Sequence, residues 1–281
     1  MEGNVLKMTG EEQLNKIHTL ELKIATEIKR ICEKNGINYF LTAGTLLGAV
    51  RHGGFIPWDD DMDIGMLRTD YERFINACEK DLGKEFFLQT WDTDPEFPFS
   101  FCKIRLKGTH FVERFSENAS TYDGLFVDIF PFDNVPDNQK ERKKQSRKYF
   151  ICKRLLWIKK GMGTNMKEEN LKQKTKYYVF LAFSHLFRYE DIKNYFAKIQ
   201  RIYNDNPTKM IVTDGSYAYE KESIERKWVE NLELVKFETE EFLSYRDKED
   251  YLKHFYGDYM KLPPIEERNR HLLRKVNFGK Y

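Results

Sequence analysis

The densest chemistry in this 281-residue chain is the run Trp58-Asp59-Asp60-Asp61-Met62-Asp63-Ile64-Gly65. In an extended segment alternate side chains share a face, so Asp61 and Asp63 point together, Asp60 and Met62 point away, and Asp59 stands close enough to join the pair. Two carboxylates so spaced lie about 6.6 Å apart and repel by about 2.5 kcal/mol at an effective dielectric near 20. Set among Ile56, Pro57, Trp58, Met62 and Ile64, the pair calls for a compensating cation. Oxygen ligands without Cys or His beside them suit a hard ion, Mg²⁺ or Mn²⁺, that keeps positions open for a substrate phosphate. A solvated acidic loop is the bland alternative, and the apolar neighbours weigh against it. A calcium loop on Asp59, Asp61, Asp63 and Asp70 fails where Ile64 replaces the turning glycine.

Upstream, Ala43-Gly44-Thr45-Leu46-Leu47-Gly48 puts a glycine and a hydroxyl where a strand meets a helix. Free N–H groups at a helix start, approached closely over Gly44, form a phosphate cradle. An ordinary turn would look the same, but this one stands shortly before the acidic pair.

The elements that must carry these groups can be read from spacing. Thr9-Gly10-Glu11-Glu12 is a capping box for a helix with Leu14, Ile17, Leu20, Ile24, Ile28 and Ile31 on one face, stopped at Asn35-Gly36. A short strand over 37–42, a helix over 45–51, a strand over 62–66 and a helix opened by a second capping box, Thr69 to Glu72, follow. Three β-rich segments come next, 86–91, 99–106 and 125–130, the last closed by Pro131. From Asn138 to about Asn204 the chain turns Lys/Arg-rich with helical spacing, and strand character returns at 211–213 and 228–237 before a helix over 248–256. The expected fold class is α+β: a small mixed sheet with flanking helices (1–137), a basic helical insertion (138–205) and a segment returning to the core (206–281).

Composition narrows the class. The chain carries 47 Lys and Arg against 45 Asp and Glu, a net charge of +2, so no global field marks it as a nucleic-acid binder. Cys32, Cys78, Cys102 and Cys152 form neither a disulfide framework nor a zinc site, and the N-terminus has no secretory pattern. A cytoplasmic setting is expected. The apolar stretch Tyr177–Phe187 is too short to span a bilayer and reads as a core helix.

The long run from Gly44 through Arg51-His52-Gly53-Gly54-Phe55-Ile56-Pro57-Trp58 to Ile64 resembles the signature of the LicD family, relatives of fukutin and fukutin-related protein in the nucleotidyltransferase-fold superfamily. Phe126-Val127-Asp128-Ile129-Phe130-Pro131 and Tyr256-Gly257-Asp258-Tyr259-Met260-Lys261-Leu262-Pro263-Pro264 are similar to later family blocks. The resemblance implies a nucleotidyltransferase-like core and a Mg²⁺-dependent transferase. Its donor would be a CDP-activated alcohol, with phosphocholine from CDP-choline the usual cargo. The acceptor would be a hydroxyl of a glycan or lipid-linked glycan, of teichoic acid or lipopolysaccharide type, and CMP would be released. It also implies Gly44-Thr45 as the phosphate turn and Asp61, Asp63 and Asp128 as metal ligands, with Asp128 or a neighbour as general base. Transfer of ribitol or glycerol phosphate, nucleotidyl transfer from an NTP, and a non-enzymatic metal- or glycan-binding module are the rivals.

Around that template, Arg51 and His52 either meet phosphate oxygens or the acceptor, or brace the acidic cluster by ion pairing. Lys103 and Arg105 alternate along a strand and so share a face toward the donor phosphates or toward solvent. A quaternary ammonium would need aromatic faces, for which Trp58, Trp91 and Tyr122 are candidates by proximity to the motifs. The run Lys140–Lys160, basic with Phe150, Ile151, Leu155, Leu156 and Ile158, reads either as a solvated helix face or as a helix lying on an anionic bilayer.

Overall fold

The computed structural model describes residues 9–162, 170–268 and 273–281. Helix α1 (Gly10–Asn35) opens on the expected capping box: Thr9 Oγ1 accepts from the Glu12 N–H, and the Glu12 carboxylate accepts from the Thr9 N–H. It ends at Gly36, whose φ of 58° suits a residue without a Cβ. Strand β1 (Phe40–Leu41), helix α2 (Ala43–His52), strand β2 (Asp63–Leu67) and helix α3 (Arg68–Asp81) follow in the expected order. Thr69 is not the cap of α3. Strand β2 runs directly into the helix, whose flanking Leu67 makes no side-chain cap bond.

Next come β3 (Phe86–Gln89), β4 (Cys102–Leu106), β5 (His110–Glu113) and β6 (Phe126–Asn134). The main sheet has the order β1-β2-β6-β4-β3, with β2 and β6 parallel and the other neighbours antiparallel. Pro131 does not close β6: it pairs with Met66, and the strand runs on to Asn134. A proline removes one donor from the ladder without changing the direction of the chain.

Helices α4 (Gln139–Lys159), α5 (Leu171–Ser184) and α6 (Tyr189–Arg201) occupy the basic stretch. Strand β7 (Met210–Val212) pairs with Asp133 and Asn134 at the end of β6, and after α7 (Tyr219–Glu222) strand β8 (Ser223–Glu225) pairs with β7. Residues 228–237 divide into a short helix α8 (Arg226–Glu230) and β9 (Leu232–Phe237). Adjacent Trp228 and Val229 are both buried, which strand alternation on a half-exposed surface would not allow. β10 (Glu240–Tyr245) forms a hairpin with β9, α9 (Lys248–Tyr256) follows, and β11 (Leu273–Asn277) pairs with β5.

Two apolar clusters result. The larger joins α1, α2, α3 and the sheet to Phe237, Phe242, Tyr245, Tyr251, Leu252 and Phe255 near the C-terminus. The smaller joins α4 and α6 through Tyr149, Leu155, Leu156, Phe196 and Ile199, and reaches the sheet at Val135 and Val212. The expectation of a core helix over Tyr177–Phe187 fails. Helix α5 packs on α4, and among its residues only Ser184 is buried.

Two features carry stability consequences. Gly65 lies where the Phe40 and Phe132 rings close over β2, and an added Cβ would overlap Phe40 and come within 2.8 Å of Phe132 Cε2. Gly65→Ala should therefore lower unfolding free energy by about 1–3 kcal/mol, read from urea midpoints; an unshifted midpoint would show that the rings give way. Glu222 is buried against the 214–217 turn, where its carboxylate accepts from the Tyr217 N–H at 2.8 Å, and burial pushes its carboxyl up to about 7. A carboxyl raised in the folded state loses its stabilising effect as pH climbs from the unfolded value near 4.5 through about 7. Glu222→Gln should match the parent protein near pH 4.5 and exceed it by on the order of 2–3 kcal/mol at pH 8. Parallel pH–stability curves for the two proteins would refute this.

Candidate active site

The site begins with strand register. Asp63 is the partner of Asp128 across parallel β2 and β6, and Asp128 is the partner of Lys103 across antiparallel β6 and β4. Side chains in register project to the same face, so three charged residues form one row across three strands. The Lys103 ammonium closes on Asp128 Oδ1 at 2.6 Å and lies over the Phe126 ring, 3.3 Å from its centroid. Burial lowers the Lys103 pKa and the Asp128 charge opposes that shift.

The backbone before β2 fixes the rest. Thr45 Oγ1 accepts from the Asp63 N–H at 2.7 Å, and the Thr42 N–H donates to the Asp63 carbonyl at 3.3 Å, so the start of α2 clamps the start of β2. The strained residue is Ala43, with φ of 48°, and not Gly44. Tyr251 holds it: its hydroxyl accepts from the Ala43 N–H at 2.9 Å and stands 2.7 Å from Thr42 Oγ1. Gly44 is needed for close approach, because a Cβ there would lie 3.0 Å from Asp59 Oδ2. Behind this loop, His18 of α1 donates from Nε2 to the Asp59 carbonyl at 2.7 Å. Glu21, one turn on, is 1% exposed, and its carboxyl is pushed well up by burial and by Asp60, Asp59, Asp128 and Asp63.

A cavity of about 600 Å³ opens over this row. Asp61, Asp63, Asp128 and Lys103 line one side, with Thr42, Ala43 and Tyr251 beside them. Phe99, Phe101, Phe115, Phe130 and Trp157 form an aromatic wall, in which Phe99 and Phe101 stack at 4.9 Å and Phe115 meets Trp157 edge-on at 5.0 Å. The third side is polar. Lys153 pairs with Asp214 at 2.9 Å, Asp214 accepts from Ser100 at 2.7 Å, and Glu222 lies nearby. Burial and then Asp59 and Asp63 push the Asp61 carboxyl well above its ordinary range. That is the local cost of gathering like charge in a space poor in water.

The structure therefore brings Asp61, Asp63, Asp128 and Lys103 together, and places other sequence candidates elsewhere. Arg105 is buried off the cavity, donating to Gln89 Oε1 at 2.5 Å and to the Gly124 carbonyl. Arg51 donates to the Tyr259 carbonyl at 2.9 Å, and His52 meets the Trp58 ring edge-on at 5.8 Å. Trp58 lies under Arg268, 4.3 Å from its centroid, Trp91 packs on the second core, and Tyr122 packs on Phe87 at 5.0 Å. Asp59 is held at the Gly44 turn, outside the lining of the cavity. Sequence reasoning missed Glu21, although its position between Ile17, Leu20 and Ile24 on the buried stripe marks it. It also missed the aromatic wall, Asp214 and Glu222, which no local pattern ties to the acidic run.

The donor set suits a hard divalent cation, being carboxylate oxygens of Asp61, Asp63 and Asp128 that line one side of the cavity. Among the described residues, no three Asp, Glu, His or Cys side chains already stand as a metal-holding group. A cation would compete with the Lys103 ammonium for Asp128.

Residues 36–156 match the profile of the family described as LicD/FKTN/FKRP, nucleotidyltransferase domain. The chain is 27% identical over 268 residues to the lipopolysaccharide cholinephosphotransferase LicD of Haemophilus influenzae, a match covering 91% of this chain and 94% of that one. It is 36% identical over 102 residues to the ribitol 5-phosphate transferase FKRP of Mus musculus, covering 36% of this chain and 18% of that one. Both relatives are named as transferases, and the matched segment spans α2, β2, β4 and β6, which carry the charged row. Residues 36–156 thus form a domain that matches the LicD/FKTN/FKRP family model, and similarity to a LicD cholinephosphotransferase extends over most of the chain.

Proposed function

We propose that this protein is a phosphotransferase that moves a phospho-alcohol, foremost phosphocholine from CDP-choline, onto a hydroxyl of a cell-surface glycan precursor. The observation that carries this reading is the row Lys103, Asp128, Asp63, with Asp61 beside it, facing one cavity with an aromatic wall. The acceptor oxygen bonds to the phosphorus that bears the alcohol, the bond from that phosphorus to the CMP oxygen breaks, and the acceptor proton passes to a carboxylate. Asp128, held in register and oriented by Lys103, is the candidate base. A magnesium or manganese ion held by Asp61 and Asp63, with Asp128 shared, would supply the charge that neutralises the donor diphosphate.

The wall of Phe99, Phe101, Phe115 and Trp157 suits a quaternary ammonium, which offers no N–H to hydrogen-bond and is attracted to ring faces. The polar side with Lys153, Asp214 and Glu222 suits acceptor hydroxyls. The stretch similar to a ribitol 5-phosphate transferase favours ribitol phosphate as the second reading. No helix among the described residues is long and apolar enough to cross a membrane.

Incubation with CDP-choline, CDP-ribitol, CDP-glycerol or NTPs and a glycan acceptor should release CMP, most rapidly from CDP-choline. Pyrophosphate release from an NTP instead would establish nucleotidyl transfer. Asp63→Asn and Asp128→Asn should each lower kcat by at least about 10²-fold, and chelation of divalent cations should do the same reversibly. Turnover that survives both substitutions would refute the assignment.

A further inference from the structure

Helix α5 leaves much of its apolar surface exposed. Tyr178, Val179 and Phe183 are 56%, 62% and 44% exposed, and Leu186 just beyond the helix is 74% exposed. On the adjoining helix α4, Phe150 is 55% exposed, its ring 6.3 Å from Phe180 and 5.8 Å from the Lys176 ammonium, so the two helices share one outer surface. Of the α4 apolar residues in the basic run, Leu155, Leu156 and Ile158 are in the interior. The outward apolar surface thus comes chiefly from α5.

Charge selects what covers it. Helix α4 carries nine Lys and Arg against Glu141 alone, and α5 carries three lysines and no acidic residue, a net of +11 in a chain whose total is +2. We propose that α4 and α5 form a docking surface for an anionic lipid bilayer. Lysines and arginines meet lipid phosphates while Tyr178, Val179, Phe183 and Leu186 enter the boundary between headgroups and acyl chains. A second copy of this chain is a poor occupant, because a self-complementary contact would set this positive surface against itself. A soluble polyanion would leave the apolar residues in water. The C-terminal half of α4 supplies Lys153 and Trp157 to the cavity, so a bilayer bound along this helix lies close to the site, where a lipid-linked acceptor would arrive.

The test uses the full chain and vesicles of phosphatidylcholine, with or without phosphatidylglycerol, at low and high salt. No donor or acceptor is needed, so the result is independent of the transferase reading. The protein should sediment with the vesicles containing phosphatidylglycerol, and binding should fall as salt rises. Lys143→Glu with Arg147→Glu, both on exposed positions of α4, should weaken partitioning by at least about tenfold. Phe183→Ser with Leu186→Ser should weaken it as well, with the melting temperature unchanged in both variants. Absence of sedimentation, equal binding to neutral vesicles, or binding indifferent to both variants would overturn the proposal. So would a lipid-free dimer that the Phe183/Leu186 variant converts to monomer.

Discussion

The parallel pairing of β2 with β6 is the constraint on which the site depends. It alone sets Asp63 beside Asp128, and the antiparallel pairing of β6 with β4 then sets Lys103 on the other flank. Residues 65 positions apart in sequence become neighbours through backbone hydrogen bonds, and a slip of one residue would turn Asp128 to the other face of the sheet. The register is held at the start of β2 by Thr45 and Thr42, and beyond the charged row by the buried pairing of Arg68 with Asp133, whose contacts are 2.8 and 2.5 Å. One end of β6 thus carries the site, and the other end ties α3 to the strand.

Concentrating carboxylates in this volume has consequences that reach into α1. Glu21 is buried behind the acidic loop, and its carboxyl is driven toward the neutral form by the loss of water and by four aspartates. A neutral acid there adds polar contact without adding charge to the cluster. Burial first and then the neighbouring aspartates raise Asp61, and a positive ligand would relieve the like-charge part. Lys103 supplies part of that relief and is itself weakened as a base by burial.

Helix α4 links three parts of the molecule. One face belongs to the second core through Tyr149, Leu155 and Leu156, one edge lends Lys153 and Trp157 to the cavity, and the outer face carries basic residues beside α5. The low acidic content of this stretch is visible in composition, but which of its apolar residues face inward depends on the partner elements. Leu155 and Leu156 meet α6 and the end of β6, whereas Phe183 and Leu186 meet nothing comparable among the described residues.

What the amino-acid order determined by itself was local. The Thr9 capping box and Gly36 bound α1, the apolar spacing marked its buried face, and the alternation of the acidic run put Asp61 and Asp63 on one side, because each depends on residues within about one helical turn or strand pleat. The cap expected at Thr69, the strand end expected at Pro131 and the core helix expected over Tyr177–Phe187 share a cause of failure, since each depends on an element distant in the chain against which the segment packs. The aromatic wall was hidden for a related reason: Trp58 is near the acidic run in the chain, yet Trp157 and Phe99 are near it in space. Only tertiary structure decided which strand lay beside β2, what filled the space above Asp128 and which helix faces stayed bare. Those outcomes follow from sheet register and packing between segments far apart in the chain, and no local pattern encodes them.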